Sequence, residues 1–373
     1  MLGAWGWIVC EKGAAGLTAQ MRASFPRYTA PMRFFVPYLF PPGRLRDAAL
    51  AGVRLPALET LCARGRRQIG AAGGLEAALA ELLGVGAQGS APLAPYLLKA
   101  EGIEPGDAWW LRVEAVHLQV RREGLVPLMG AAVAMTAAEA EALHAGLTEH
   151  FGAALPLVAT PGGDWYWPRT APLGLDLPPP GAATGRALAP PSISGILGWQ
   201  KLMNEIQMLL HDHPVNRARE AAGQPAINSL WLWGEGRWAP PPLTAAKIYA
   251  GHPLARQLAQ GLGLAYQPLP GRWDGTPPRS AIVVLDGLLE AGQYGDAWAW
   301  RTALQELERN WLAPLLKAGR RCILHDPQSG TLLHWRPMMA WKFWRRAAPL
   351  AAVSPLAEAA ASAPPQDELG NRF

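Results

Sequence analysis

His211, Asp212 and His213 fall together at the end of a predicted helix, an arrangement that either a metal ion or a helix end can use. Capping and turn chemistry is the preferred reading, because Pro214 follows at once and breaks the helix. Asn216 and Arg219 lie three residues apart on the next predicted helix, where they either face a pocket or brace the fold; both readings stand. Asn228 sits in the strand predicted over 227–233, which runs into Gly234-Glu235-Gly236. Glu235 therefore falls at a strand's carboxyl end, where open α/β sheets place ligands. Asp286 and Asp326 also end predicted strands, which places them near the same edge, and His334 follows shortly after. These eight residues, His213, Asn216, Arg219, Asn228, Glu235, Asp286, Asp326 and His334, are the candidate ligand pocket.

A second pattern occupies 334–346, where Arg336, Lys342, Arg345 and Arg346 alternate with Trp341 and Trp344. Cations among aromatics suit single-stranded nucleic acid, through stacking and phosphate contacts, and equally a protein or a membrane surface. The preferred account is plainer: a last strand or helix that packs its Trp residues inward while Lys and Arg reach out to water.

The elements that position these groups follow from local pattern. Residues 32–40 read as a first buried strand stopped by Pro41-Pro42-Gly43. A helix over 55–64 has Pro56 in its first turn and Gly65 after its end, and a second covers 75–83. Residues 110–120 are β-like, and the helix over 136–151 opens on a capping box of Thr136 and Glu139. Ser194 caps an amphipathic helix to His211, and a short helix covers 215–222. Further strands are expected at 247–250, 281–285 and 322–324, with helices at 253–262 and 297–316. Strands alternating with helices predict a mainly parallel sheet covered on both faces. The domain reading is an N-terminal extension (1–31), a first core segment (32–110), an inserted cap-like lobe (111–191) ending at the Pro-rich linker 189–192, a second core segment (192–346) and a disordered tail (347–373).

The run from His213 to Gly236, HPVNRAREAAGQPAINSLWLWGEG, resembles the RpfE-type regulatory proteins of proteobacteria. It is also similar to the matching stretch of archaeal-type cofactor-independent phosphoglycerate mutases. Residues 55–65, 101–107, 290–296 and 320–326 resemble segments of those mutases in the same order, so the resemblance covers roughly 32–346. It implies an α/β, alkaline-phosphatase-like core, with a small inserted α+β lobe. In such mutases a Ser nucleophile carries the phosphoryl group between two divalent metal ions.

The same resemblance shows which groups are missing. The first strand, where the family has an Asp ligand, reads Phe35-Val36-Pro37-Tyr38-Leu39-Phe40. The nucleophile Ser falls on Leu75 in Gly74-Leu75-Glu76-Ala77. The Asp and His of the later loop fall on Leu289 and Gln293, and the last Asp-His pair is Asp326-Pro327. Only Asp326 and His334 could survive as ligands, too few for two metals. The expectation is a non-catalytic regulatory or scaffold protein with no cofactor, whose partner is an unknown protein or a small phosphorylated ligand. The rivals are an enzyme using Glu76, Asp286, Asp326 and His334 as replacement ligands, and a nucleic-acid-binding protein using 317–346.

Composition sets the outer bounds. At 373 residues the chain can bury a large core, and its three cysteines, Cys10, Cys62 and Cys322, have no paired spacing, which points to a reducing compartment and the cytoplasm. No apolar stretch is long enough for a transmembrane helix. The run Leu2–Cys10 lacks a basic lead and meets Glu11, making it a poor signal peptide; Met32 is the plainer domain start. The net charge is +5, and 317–346 carries seven cations against Asp326 alone.

Overall fold

The computed structural model describes residues 31–40, 43–50, 52–85, 91–122, 124–174, 177–184, 188, 197–240, 247–275 and 281–350. The expected extension (1–30), the Ser194 cap, the 189–192 linker and the tail from 351 lie outside these residues.

The chain opens with β1 (Met32–Phe35), α1 (Gly43–Leu50), α2 (Pro56–Arg64), β2 (Arg66–Ile69), α3 (Gly74–Leu83) and α4 (Ala94–Ala100). A second group comprises β3 (Trp109–Arg121), β4 (Gly124–Leu128), α5 (Ala137–Phe151), β5 (Val158–Ala159), β6 (Trp165–Arg169), α6 (Leu197–His211), α7 (Pro214–Ala221) and β7 (Ser229–Arg237). Then come β8 (Lys247–Ala250), α8 (Pro253–Gly261), β9 (Ala265–Pro268), β10 (Ile282–Val284), α9 (Leu289–Tyr294), α10 (Ala297–Leu307), α11 (Ala313–Lys317), β11 (Cys322–Asp326) and β12 (Thr331–Trp335).

Among the described residues the main sheet runs β2-β12-β11-β1-β10-β8-β9. β1 lies between β10 and β11, parallel to both, with Phe34 opposite Val283 and Leu324. β8 and β9 extend the parallel part, while β12 turns back antiparallel to β11. The expected mixed α/β architecture with a mainly parallel sheet is therefore present. Because successive strand residues face opposite ways, Phe34 and Val283 pack into one core with α2, α10 and α11, whereas Phe35, Ile282 and Val284 pack into another with α3, α4 and α8. Covering both faces explains why these strands are apolar at every position but Arg33.

Local signals set several boundaries. Pro56 occupies the first turn of α2, where a missing N–H costs nothing. Both hydrogen bonds of the Thr136–Glu139 capping box form at the start of α5. The predicted first strand is shorter than expected, ending at Phe35, because Val36–Phe40 folds into a turn in which Tyr38 has φ 59°.

The second sheet is antiparallel and joins β4, β3, β6 and β5, with β7 also paired to β3. The pairing of β7 differs from the sequence reading, which put that strand in the parallel core. Val113 lies opposite Leu232 and Ala115 opposite Leu230, so Ser229–Arg237 belongs to this sheet. The second core segment thus does not begin at 192 in terms of sheet membership. Gly234 and Gly236 reflect a close approach: a Cβ on Gly236 would stand 2.6 Å from Pro92 Cβ, and one on Gly234 3.1 Å from the Ala94 nitrogen.

Candidate functional site

The carboxyl edge of the parallel sheet is where the resemblance would put metals, and Asp326 sits there fully buried at the end of β11. Its Oδ1 accepts the backbone N–H of Tyr38 at 3.1 Å and of Gln328 at 3.2 Å. Its Oδ2 accepts the N–H of Phe40 at 3.2 Å and the Ser329 hydroxyl at 2.8 Å. A carboxylate offers about four lone-pair sites, and four donors occupy them. Burial pushes the Asp326 carboxyl up to about 6, with these hydrogen bonds pulling the other way.

The turn held by Asp326 fills the neighbouring space. The Tyr38 carbonyl accepts the Trp300 indole N–H at 2.9 Å, and Gly292 lies so close to the Tyr38 ring that a Cβ there would be 2.3 Å from Cγ. Leu289 and Gln293 lie on α9 beside this turn, and Phe35, Val36 and Pro37 contribute no carboxylate. Leu75, on which the resemblance would place the nucleophile, is buried in the core. These residues do not fit a pair of divalent metals, and among the described residues no group of three or more His, Cys, Asp or Glu is placed to hold one.

The four replacement ligands do not converge. Asp286, after β10, is separated from Asp326 by β1, two strand spacings or roughly 10 Å. His334 pairs with Ile323, three residues back along β11 from Asp326. That offset is about 10 Å and carries His334 to the opposite face. Glu76 accepts the Gly181 N–H at 2.7 Å, and burial raises its carboxyl above the usual range. Asp326 and His334, the two positions left as possible ligands, lie apart, because β12 runs back toward the amino edge and takes His334 with it.

Asp286 instead borders a cavity of about 230 Å³ with Gly271, Glu306, Asn310 and Trp311. Next to it, after β8, is His252, a residue the sequence reading passed over. Burial lowers the His252 imidazole, Asp286 partly offsets this, and its Nδ1 has no hydrogen-bond partner among the described residues. The signal was available, since His252-Pro253 repeats the His213-Pro214 pattern of a His directly before a helix that begins with Pro, although only the His213 ring makes a cap hydrogen bond.

Glu235 is not at the parallel sheet's carboxyl edge. It lies on β7, where it accepts the backbone N–H groups of Leu173 and, at 2.9 Å, Gly174. The inference from the Gly-x-Gly turn fails because the strand pairs antiparallel with β3, so its end is not a crossover point.

His213, Asn216, Arg219 and Asn228 do cluster, in the second group of elements. The His213 ring caps α7 by accepting the Val215 N–H at 3.3 Å. Asn216 is buried; its amide donates to Leu210 O at 2.6 Å and Ile227 O at 2.7 Å and accepts from the Ile227 N–H at 2.7 Å. Arg219, also buried, donates to Glu139 at 3.0 Å, to Pro225 O at 2.8 Å and to Val133 O. Of the two open readings, bracing is the one these bonds describe. Asn228 binds both backbone groups of Leu118 and extends the sheet pattern. Beside them a cavity of about 820 Å³ opens between the second sheet and α6, where His117, Asn204, Gln207, His211, Glu220 and Asn228 present polar atoms.

A buried ionic group also escaped the sequence reading. Arg112 donates to Glu114 at 2.9 Å and to Asp164 at 2.6 Å, with the Tyr166 and Trp233 rings beside it. Gln257 of α8 joins Asp164 to Glu101. Arg112 and Glu114, two apart on β3, share a face, which was legible from strand period.

The basic aromatic segment overturns its preferred reading. Trp335 is buried, but Trp341, Phe343 and Trp344 are exposed, on a short 3-10 turn and the residues after it.

No protein-family model matches the chain. A probable 2,3-bisphosphoglycerate-independent phosphoglycerate mutase of Geobacter sulfurreducens is 34% identical over 71 residues, which is 18% of this chain and 18% of that protein's length. Among solved structures, the PH0037 protein of Pyrococcus horikoshii aligns over 88% of this chain and 93% of its own, at 14% identity and a TM-score of 0.46. The cofactor-independent phosphoglycerate mutase of Thermoplasma acidophilum aligns over 87% of this chain and 95% of its own, at 16% identity and a TM-score of 0.43. These likenesses concern the course of the chain, and no residue role is transferred from them.

Proposed function

We infer that this chain is a non-catalytic regulatory or scaffold protein of the RpfE type, built on a phosphoglycerate-mutase-like frame whose metal and nucleophile positions have been given over to packing. The observation that carries this reading is the saturation of Asp326. A carboxylate whose lone pairs hold Tyr38, Phe40, Gln328 and Ser329 has none left for a metal, and releasing it would strand buried N–H groups. The apolar residues at Phe35–Pro37, Leu75 and Leu289 support the same conclusion. Phosphoryl transfer without a metal or a nucleophile lacks the charge stabilisation it needs.

The cavity of about 820 Å³ supports a binding role for the RpfE-like segment, since Asn216, Glu220 and Asn228 of that segment border it. A small phosphorylated ligand or a partner's side chains are the occupants proposed. The test pairs elemental analysis of the purified protein with a phosphoglycerate interconversion assay supplied with Mn²⁺ or Mg²⁺. Absence of both stoichiometric metal and turnover is expected. Two ions per chain together with mutase-like rates would overturn the proposal.

A further inference from the structure

The amino edge of the parallel sheet carries a cationic hollow that the proposed function leaves unused. It encloses about 220 Å³, and Arg66, Arg321, His334 and Arg336 contribute its polar wall, with Met339 at one side. Among the described residues no carboxylate borders it. Among the described residues none of Arg66, Arg321, Arg336 and the nearby Arg33 has an ion-pair partner. Burial, and then these four arginines, lower the His334 imidazole, and its Nε2 is buried without a hydrogen-bond partner among the described residues. Three guanidinium forks and a free ring nitrogen around a small hollow match the oxygens of a phosphate group.

From Arg336 the chain passes directly into Met338, Trp341, Phe343 and Trp344, which are 66–77% exposed. Four large apolar side chains within seven residues form an apolar patch open to water. They are held on a fixed turn: Arg64 donates to Ala340 O at 2.9 Å and to Arg345 O at 3.4 Å. Lys342, Arg345 and Arg346 lie among them. The turn Pro337–Trp341 is five residues long, about 10 Å at the 3-10 rise, so the rings stand beside the hollow.

We propose that this face docks on an anionic phospholipid surface, with the Arg66–Arg321–Arg336–His334 hollow taking a headgroup phosphate and Trp341, Phe343, Trp344 and Met338 entering the interfacial layer. Trp is favoured at that depth because its ring is apolar while its N–H remains hydrated, and Lys and Arg are drawn to anionic headgroups. Single-stranded nucleic acid fits less well. Its bases stack on successive ring faces along an open groove. Here Phe343 and Trp344 meet edge to face, at 5.4 Å and 78°, and the cations gather round an enclosed hollow.

The experiment is co-sedimentation of the full chain with vesicles of phosphatidylcholine alone or mixed with phosphatidylglycerol, beside titration of a labelled single-stranded oligonucleotide. Binding to the mixed vesicles is expected, weakened by salt and not displaced by inorganic phosphate at physiological concentration. Arg321→Ala with Arg336→Ala should cut it about thirtyfold, on the scale of about fivefold per cation near a charged surface. Trp341→Ser with Trp344→Ser should abolish it. All four side chains are exposed, and an unchanged thermal melt will show that each variant folds. Failure to sediment with the mixed vesicles, equal binding to both vesicle types, insensitivity to either pair of substitutions, displacement by free phosphate, or oligonucleotide binding in place of vesicle binding each overturns the proposal.

Discussion

Asp326 and Tyr38, 288 residues apart, are joined by a 3.1 Å hydrogen bond from the Tyr38 backbone N–H to Oδ1. This bond closes the turn after β1 onto the end of β11, at the edge where metals would be bound. Replacing Asp326 by Ala strands the buried N–H of Phe40 and leaves that of Tyr38 to the Gln328 side chain at 3.2 Å, and should cost about 1–3 kcal/mol, the scale of one unsatisfied buried donor. Denaturant unfolding in the presence of a chelator measures this. A purely metal-binding carboxylate would give no such loss in chelator.

The same group makes stability depend on pH. Burial raises the folded Asp326 carboxyl from 3.8 to about 6, so the native state holds that proton more tightly than the unfolded chain. Its contribution is full below 3.8 and is lost as pH rises through about 6. The stability difference between wild type and Asp326→Asn should therefore shift by on the order of 3 kcal/mol across that window, in favour of wild type at the acid end. A difference that stays flat with pH would remove the assignment.

Glu308 lies at the junction of α10 and α11 yet caps α2, accepting the N–H of Ala57 at 2.6 Å and of Leu58 at 3.0 Å. Glu308→Ala should lower stability by about 1–2 kcal/mol, the loss of a helix cap with its dipole contribution. Native-state hydrogen exchange at Ala57 and Leu58 should rise with it; unchanged protection there would show that the cap is supplied by another group.

Arg219 reaches Glu139, Pro225 O and Val133 O from one planar guanidinium. Arg219→Ala should cost about 1–3 kcal/mol, as expected when buried carbonyl oxygens lose their donor while the part-exposed Glu139 keeps its bonds to Thr136. Arg219→Lys should recover little, because an ammonium cannot span those directions. A lysine variant melting with wild type would contradict this account.

Gly292 tests the filled edge. A Cβ there would meet the Tyr38 ring at 2.3 Å, so Gly292→Ala should destabilise by about 1–3 kcal/mol through overpacking. The double variant with Tyr38→Ala should recover part of the loss, and additivity of the two changes would argue against contact.

Much of the frame was legible from local pattern. Pro56 and Gly65 around α2 and the Thr136–Glu139 pair mark element ends because capping depends only on neighbours in sequence. The apolar residues Met32, Phe34 and Phe35 around Arg33, and the continuous run Ile282–Val284, announced strands buried on both faces. β2 was not legible: Arg66-Arg67-Gln68-Ile69 is an edge strand facing water and lacks an apolar period. β12 was passed over although Gly330, with φ 68°, marks the turn before it.

The sequence by itself determined most of the elements, the ordered segments that resemble phosphoglycerate mutases, and the absence of Ser at Leu75 and of Asp or His at Leu289 and Gln293. Only tertiary structure decided which sheet β7 joins, that His334 lies at the edge opposite Asp326, and that the Asp326 carboxylate is spent on the Tyr38 turn. The physical reason is range. Helix and strand periods, caps and missing side chains are properties of adjacent residues. A strand's partner, or the donors that saturate a buried carboxylate, come from residues hundreds of positions away and are set only when the chain packs.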